Sequence, residues 1–81
     1  MKKYYVSDII GAHPEDACAW YKTAEEAEKA RDSWKAEIMA GVYDSELDIE
    51  PDERQEMADN VEAYAVEYTS GGAVKSNTRI I

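Results

Sequence analysis

The stretch Thr23–Gly41, TAEEAEKARDSWKAEIMAG, decides the fold because it contains a helix with its own start and stop signals. Thr23 and Glu26 have the spacing of a capping box, in which the hydroxyl binds the third amide and the glutamate reaches back. Gly41 is the residue type that ends helices. The apolar positions recur at helical spacing and predict a buried stripe of Ala27, Ala30, Trp34 and Ile38.

On the N-terminal side of this helix, the sequence predicts a β-hairpin. Residues Lys2–Ile10 are rich in aromatic and β-branched side chains, which favour a strand. Residues 11–16 form a loop, because Pro14 removes a donor and biases its neighbour to an extended conformation. Residues 17–22, with Trp20 and Tyr21, then predict a short second strand.

On the C-terminal side, residues 42–50 have no regular pattern, and Pro51 begins a second helix. The inward stripe of that helix is predicted at Met57, Ala58 and Val61. Residues 64–68 alternate as a strand with one buried face, residues 70–72 form a turn, and residues 74–80 form a last strand. We expect this strand at an edge of the sheet, with Lys75, Asn77 and Arg79 exposed.

The predicted order is β-β-α-α-β-β, which indicates an α+β fold: an antiparallel sheet with two helices packed on one face. The length of 81 residues predicts a single compact domain over residues 1–81. Leucine occurs once and phenylalanine never, so alanine, tyrosine and tryptophan must fill a thin core. Such a core also allows a homodimer that completes the burial.

Charge excludes several functions. The chain has 18 acidic and 9 basic residues, a net charge of −9, and a pI of about 4.4. Direct binding to nucleic acid or to an anionic membrane needs clustered Lys and Arg, so neither is expected. No apolar run approaches the roughly 20 residues that span a membrane. No apolar stretch typical of a signal peptide follows Lys2–Lys3, and the single Cys18 suits a reducing compartment, so we expect a cytoplasmic protein.

The negative charge is concentrated in one segment. Residues 44–62 contain nine acids and one basic residue, Arg54, and therefore carry −8, whereas the other 62 residues carry about −1. Acids occupy every second position from Asp44 to Asp52. In an extended chain this spacing places carboxylates on one face roughly 6.6 Å apart.

Three interpretations of the acidic run are open. It can be a solvated surface that serves solubility, a cation site, or an interface for a basic partner. A calcium loop of the EF-hand type is disfavoured, because Ile49 stands where the turn needs glycine and Gln55 where a bidentate glutamate belongs. No metal and no cofactor are therefore expected.

As an interface, a row of carboxylates fits a groove whose Lys and Arg select regularly spaced negative charge. Tyr43 adds an aromatic ring beside the run, a residue type enriched in interface cores. The predicted partner-binding residues are Tyr43, Asp44, Glu46, Asp48, Glu50, Asp52, Glu53, Glu56 and Asp59.

In size, acidity and its single anionic stretch, Asp44 to Glu62, the chain resembles the small inhibitors of phages and mobile elements, the anti-CRISPR and anti-restriction DNA mimics. The resemblance implies a protein partner, a nuclease or effector whose nucleic-acid groove is blocked in the host cytoplasm. Many such inhibitors bind elsewhere on their target. The alternative is a small accessory or oligomerising protein whose acidic run is only a solvated surface.

An enzyme is not expected. His13 and Cys18 are the only nucleophile and base of the usual kind, with Asp16 between them, but a dyad requires a mutual contact and an orienting group. The simpler interpretation places His13 in a loop and Cys18 as a small buried side chain. Gly71–Gly72 has no following helix and is a turn, not a phosphate loop.

Overall fold

The hydrophobic alternation of the strands and the capped helix produce one sheet with helices in a computed structural model, which describes residues 2–81. The strands are β1 (Lys2–Ser7), β2 (Ala19–Tyr21), β3 (Glu62–Tyr68) and β4 (Val74–Arg79). The helices are α1 (Ala24–Met39), α2 (Asp44–Leu47) and α3 (Arg54–Asn60). Short 3₁₀ turns occupy Pro14–Asp16 and Pro51–Glu53, and the second of these leads directly into α3.

The predicted fold class is confirmed. All strand pairs are antiparallel, and the strand order is β2-β1-β3-β4, so β2 and β4 form the two edges. The strands are shorter than predicted at the N-terminus, where β1 ends at Ser7 and β2 has three residues. The one-turn helix α2 was not predicted; it lies within the stretch that has no regular pattern.

The predicted end of α1 at Gly41 is confirmed, and of the predicted capping box the half formed by Thr23 is found. The Thr23 hydroxyl oxygen accepts a hydrogen bond from the Glu26 amide at 3.1 Å. At the other end, Gly41 has a φ of 84°, and the amides of Gly41 and Val42 donate to the carbonyls of Ile38 and Glu37, each at 3.1 Å. This is a Schellman ending, which satisfies the last carbonyls of the helix.

The main core lies between the sheet and the helices. Its buried side chains come from β1, α1, α3 and β3, and they are Val6, Ala27, Ile38, Ala58, Val61 and Ala63. Ala30, Trp34 and Met57 pack against it, as the predicted stripes require. Small side chains on both α1 and β3 let the helix approach the sheet closely. The amine of Lys35 also donates to the Ala58 carbonyl at 2.6 Å, which ties α1 to α3.

The opposite face of the sheet is also partly buried, which the sequence did not predict. Tyr5, Ala12, Tyr64 and Val66 form a second core there. Asn77 belongs to this face and is half-buried, so its predicted exposure on β4 is wrong. The cause is that the β1–β2 loop folds back over the sheet and brings the carbonyl of Ala12 within 2.8 Å of the Asn77 amide nitrogen.

The molecule is elongated. Its principal extents are 45 × 20 × 20 Å, and its radius of gyration is 13.7 Å. A compact domain of this length has a radius of about 12 Å. The extended shape gives a short chain two well-separated ends.

Candidate functional site

The acidic segment is folded rather than extended. Leu47 and Ile49 donate their amides to the carbonyls of Tyr43 and Asp44, each at 2.9 Å, which closes one helical turn. Asp48 follows in the left-handed region, with a φ of 53°, and Ile49 is buried. The alternating acids of the sequence therefore do not form a straight row. They lie on a turn, a 3₁₀ turn and a short helix in succession.

Asp44 is held inside the molecule's own charge network. The guanidinium of Arg54 donates to the Asp44 carboxylate through Nε, which lies 3.2 and 3.1 Å from the two oxygens, and through Nη2. This contact holds the pKa of Asp44 below its usual range and raises the pKa of Arg54. Because Asp44 begins α2 and Arg54 begins α3, the pair closes the loop between the two helices.

Tyr43 is also engaged within the chain. Its ring packs against the main core, and its hydroxyl donates to the Glu37 carboxylate at 2.7 Å. The hydrogen bond to Glu37 raises the pKa of Tyr43. Of the nine predicted partner-binding residues, Tyr43 and Asp44 thus have internal partners that fix the shape of the segment.

The other seven predicted residues present their side chains to solvent: Glu46, Asp48, Glu50, Asp52, Glu53, Glu56 and Asp59. Two of them accept hydrogen bonds from their own segment, Glu53 from the Glu50 amide at 3.0 Å and Asp59 from Gln55 at 2.8 Å. Within residues 2–81, none of the seven forms a salt bridge. Their charge is therefore uncompensated, and a field of this kind accelerates encounter with a basic partner.

Across residues 2–81, no group of three or more His, Cys, Asp or Glu side chains is placed to hold a metal ion. The Asp16 carboxylate accepts from the backbone amide of His13 at 2.9 Å, not from its imidazole. The Cys18 thiol lies 3.7 Å from the Asp8 carboxylate, and burial raises its pKa.

Cys18 as a residue is exposed, so the prediction that it is a small buried side chain is wrong. The β1–β2 loop places Cys18 beside Asp8, directly before the first residue of β2, where it remains at the surface. In the part of the chain that the structure describes, no hydrogen bond joins its thiol to His13. The two residues do not form a nucleophile–base pair in this arrangement.

A second surface feature was missed by the sequence reasoning. Three lysines, Lys2, Lys3 and Lys22, line an open groove together with Trp20 and Tyr21. The lysines come from two distant positions in the sequence, and only the pairing of Tyr4 with Tyr21 brings them together. The sequence did contain a signal for this groove. Lysines stand at the start of β1 and directly after β2, and these two ends lie side by side in an antiparallel hairpin.

Comparison of the chain with family models, curated proteins and solved structures found no match. Among the helices of residues 2–81, none has the length and apolar character that crossing a membrane requires. The function is therefore argued from the surface itself.

Proposed function

We propose that this chain is a non-enzymatic inhibitor that binds a protein partner through its acidic segment, Asp44 to Glu62, and in particular through the exposed acids at residues 46–59 of that segment. The observation that carries the proposal is the set of seven exposed carboxylates without an ionic partner among the described residues. The partner class is a nuclease or effector with a basic groove for nucleic acid. Its natural setting is the cytoplasm of a host cell, as for the inhibitors that the chain resembles.

The segment suits this role because its shape is fixed before binding. The Asp44–Arg54 pair closes the loop, and the buried Ile49 anchors its middle. A preorganised loop loses less conformational entropy when it binds. The carboxylates then meet Lys and Arg side chains that otherwise bind phosphates, and charge complementarity increases the association rate.

The test is a cleavage assay with a panel of purified CRISPR effectors and restriction nucleases. Each nuclease is incubated with the protein before or after it binds a double-stranded DNA substrate. We expect the protein to inhibit at least one nuclease when it is added first, and to inhibit that nuclease less when the DNA has already bound. The inhibition should decrease steeply as the salt concentration rises.

The variant for this assay replaces Glu46, Asp48, Glu50 and Asp52 by the corresponding amides. Close charge pairs at an interface contribute roughly 1 kcal/mol or more each, so the variant should lose inhibition by orders of magnitude. Glu15→Gln and Glu25→Gln, exposed acids outside the segment, provide the control. Inhibition that is unchanged in the fourfold variant, or absent across the panel, contradicts the proposal.

A second candidate function, a small oligomerising protein, is favoured by apolar exposure where α1 ends and α2 lies. Met39, Val42 and Leu47 have exposed fractions of 44%, 58% and 55%. A second copy that covered these side chains would gain apolar burial. Light scattering coupled to size exclusion decides between the candidates, because the inhibitor proposal does not require a dimer and this one does.

A further inference from the structure

The lysine groove lies at the end of the sheet where β1 begins and β2 ends. Its lining consists of Lys2, Lys3, Trp20, Tyr21 and Lys22, and its volume is about 490 Å³. Trp20 is 47% exposed, although its ring also contacts that of Tyr5 at a centroid distance of 5.1 Å. A fixed, half-exposed indole offers an apolar contact to a ligand at a small entropic cost.

The three lysines of the groove are available for a ligand. Over the described residues 2–81, none of them belongs to a salt bridge. The Lys3 amine lies 5.8 Å from the centre of the Tyr68 ring, which holds it over the sheet without neutralising it. Three lysines and one half-exposed indole therefore line one groove in a chain whose net charge is −9.

The groove and the acidic segment lie at opposite ends of α1. Lys22 directly precedes the helix, and the acidic segment follows its C-terminus. The 16 residues of α1 rise about 24 Å, three times the Debye length at physiological salt. The lysines are thus largely screened from residues 46–53, which follow the end of α1, and a ligand at the groove does not compete with a partner bound there.

The groove also borders a free strand edge. β2 is an edge strand that pairs only with β1 among the strands of residues 2–81. The outer side of such a strand presents unpaired backbone donors and acceptors, which an extended peptide can satisfy by adding a strand. Side chains of an added strand alternate, so every second one faces the same side of the sheet as Trp20.

We propose that this edge binds an extended acidic peptide of a partner protein. The peptide adds a strand along Ala19–Tyr21, packs against Trp20 and places a carboxylate beside Lys22, while Lys2 and Lys3 of β1 add to the positive potential at this end of the sheet. This binding does not depend on the proposed inhibitor function, because it uses a different face and the opposite charge.

An acidic peptide fits the groove better than single-stranded nucleic acid. A nucleic acid carries a charge on every phosphate and would extend past three lysines toward the acidic remainder of the chain. It also has no backbone amides to pair with a strand edge. The rings of Tyr5 and Tyr64, which would serve as stacking platforms, are buried, with exposed fractions of 0% and 5%.

The experiment is an NMR titration of the full chain with capped eight-residue peptides. The probe carries Glu and Val in successive pairs, so that each face of the added strand presents both side chains, and the comparison peptide has Lys in place of each Glu. We expect the acidic peptide to shift the amides of residues 19–22 and the indole N–H of Trp20, and the basic peptide to shift neither. Methylation of alternate peptide amides on the edge-facing side should abolish binding, because the main-chain hydrogen bonds are lost.

Variants separate the groove from general electrostatics. Lys3→Glu with Lys22→Glu should weaken peptide binding at least tenfold. Lys29→Glu, an exposed lysine on α1, should change it less than twofold. The fourfold amide variant of residues 46–52 should retain peptide binding, so failure of the inhibitor proposal leaves this result intact.

Three results would overturn the proposal. They are a lack of shifts at residues 19–22, an equal loss in the Lys29→Glu variant, and binding of an oligothymidine of eight nucleotides in preference to the peptide. The exchanged lysines are exposed, so the variants should fold, and circular dichroism checks this.

Discussion

Tyr5 is the residue around which the helix-free side of the sheet is organised. Its ring lies between those of Trp20 and Tyr64, at centroid distances of 5.1 and 5.0 Å. Its hydroxyl donates to the Asn77 side-chain oxygen at 2.7 Å, and the Asn77 amide donates to the Ala12 carbonyl. One buried side chain therefore links β1, β4 and the loop between β1 and β2. Burial raises its pKa.

The variant Tyr5→Phe should lower the free energy of unfolding by about 1–2 kcal/mol, because the buried Ala12 carbonyl and the half-buried Asn77 side-chain oxygen lose a donor. Tyr4→Phe is the matched control on the same strand. No hydrogen bond of the Tyr4 hydroxyl is found within residues 2–81, so this change should cost less than about 0.5 kcal/mol. Urea denaturation of both variants makes the measurement, and equal losses would contradict the role given to the hydroxyl.

The Asp44–Arg54 ion pair should make the stability of the fold depend on pH. Because the folded state lowers the pKa of Asp44, the pair stabilises the fold above the ordinary carboxyl pKa. That contribution disappears as the pH falls through the lowered value. Asp44→Asn should therefore be less stable than the wild type at about pH 7, and the difference should shrink by about pH 2.5.

The control for Asp44 is Asp52→Asn, an exposed acid that forms no salt bridge in the described part of the chain. Its stability should follow the wild type at both pH values when unfolding is measured by urea titration. A difference for Asp44→Asn that stayed constant with pH would show that the ion pair is not its source.

At the level of elements, Gly41 joins α1 to the acidic segment. Its φ of 84° is unfavourable for other residues. A Cβ at this position would lie 2.8 Å from Nη2 of Arg54, which the same guanidinium uses to bind Asp44. Both the end of α1 and the Asp44–Arg54 ion pair therefore require a residue without a Cβ at position 41.

Gly41→Ala should be more destabilising than Gly72→Ala, although both glycines have nearly the same φ, 84° and 86°. The left-handed conformation alone costs about 1–2 kcal/mol, and it is common to both variants. A Cβ at Gly72 meets nothing within 4 Å, whereas one at Gly41 displaces Arg54.

The same contact predicts that Asp44→Asn should have less effect on stability in the Gly41→Ala background than in the wild type. A double-mutant cycle based on thermal unfolding measures this difference.

The sequence predicts those elements whose signals are local. Thr23, Gly41 and the apolar stripe define α1, and the alternation of residues 64–68 defines the strand β3. It does not predict α2, because Ile49 is buried by tertiary contacts that leave no periodic pattern in nine residues. It also misses the second core, since alternation cannot show that a loop will fold over the outer face and bury Asn77.

The candidate sites follow the same division. That residues 46–59 carry exposed acids was predictable from charge alone, and the order of the chain places them together. The pairing of Asp44 with Arg54 depends on how the fold brings the first residues of α2 and α3 together. The two residues are ten positions apart in the sequence. The lysine groove depends on strand pairing between residues about 20 positions apart and became visible only in the fold.

At the scale of the whole molecule, the net charge of −9 is distributed along a 45 Å axis with two different ends. The acidic segment and the lysine groove are separated by the length of α1. Crowding of like charges in residues 46–59 destabilises the folded state through repulsion that salt reduces. The same repulsion is what a basic partner would relieve, so stability and binding depend on one charge distribution.

This distribution predicts that the melting temperature rises with added salt, because screening weakens the repulsion among the exposed carboxylates. The double variant Asp48→Asn and Asp59→Asn, two exposed acids outside the first turns of α2 and α3, should raise the melting temperature by a few degrees at low salt and should reduce its salt dependence. The equal change in charge at Glu15 and Glu25 should not stabilise the protein, because Glu25 lies in the first turn of α1, where a negative charge is favourable. Differential scanning calorimetry of the three proteins at low and high salt makes the comparison. Equal stabilisation by both double variants would show that the net charge of the whole molecule, and not repulsion among residues 46–59, lowers the stability. It would contradict the view that these residues form a distinct acidic face.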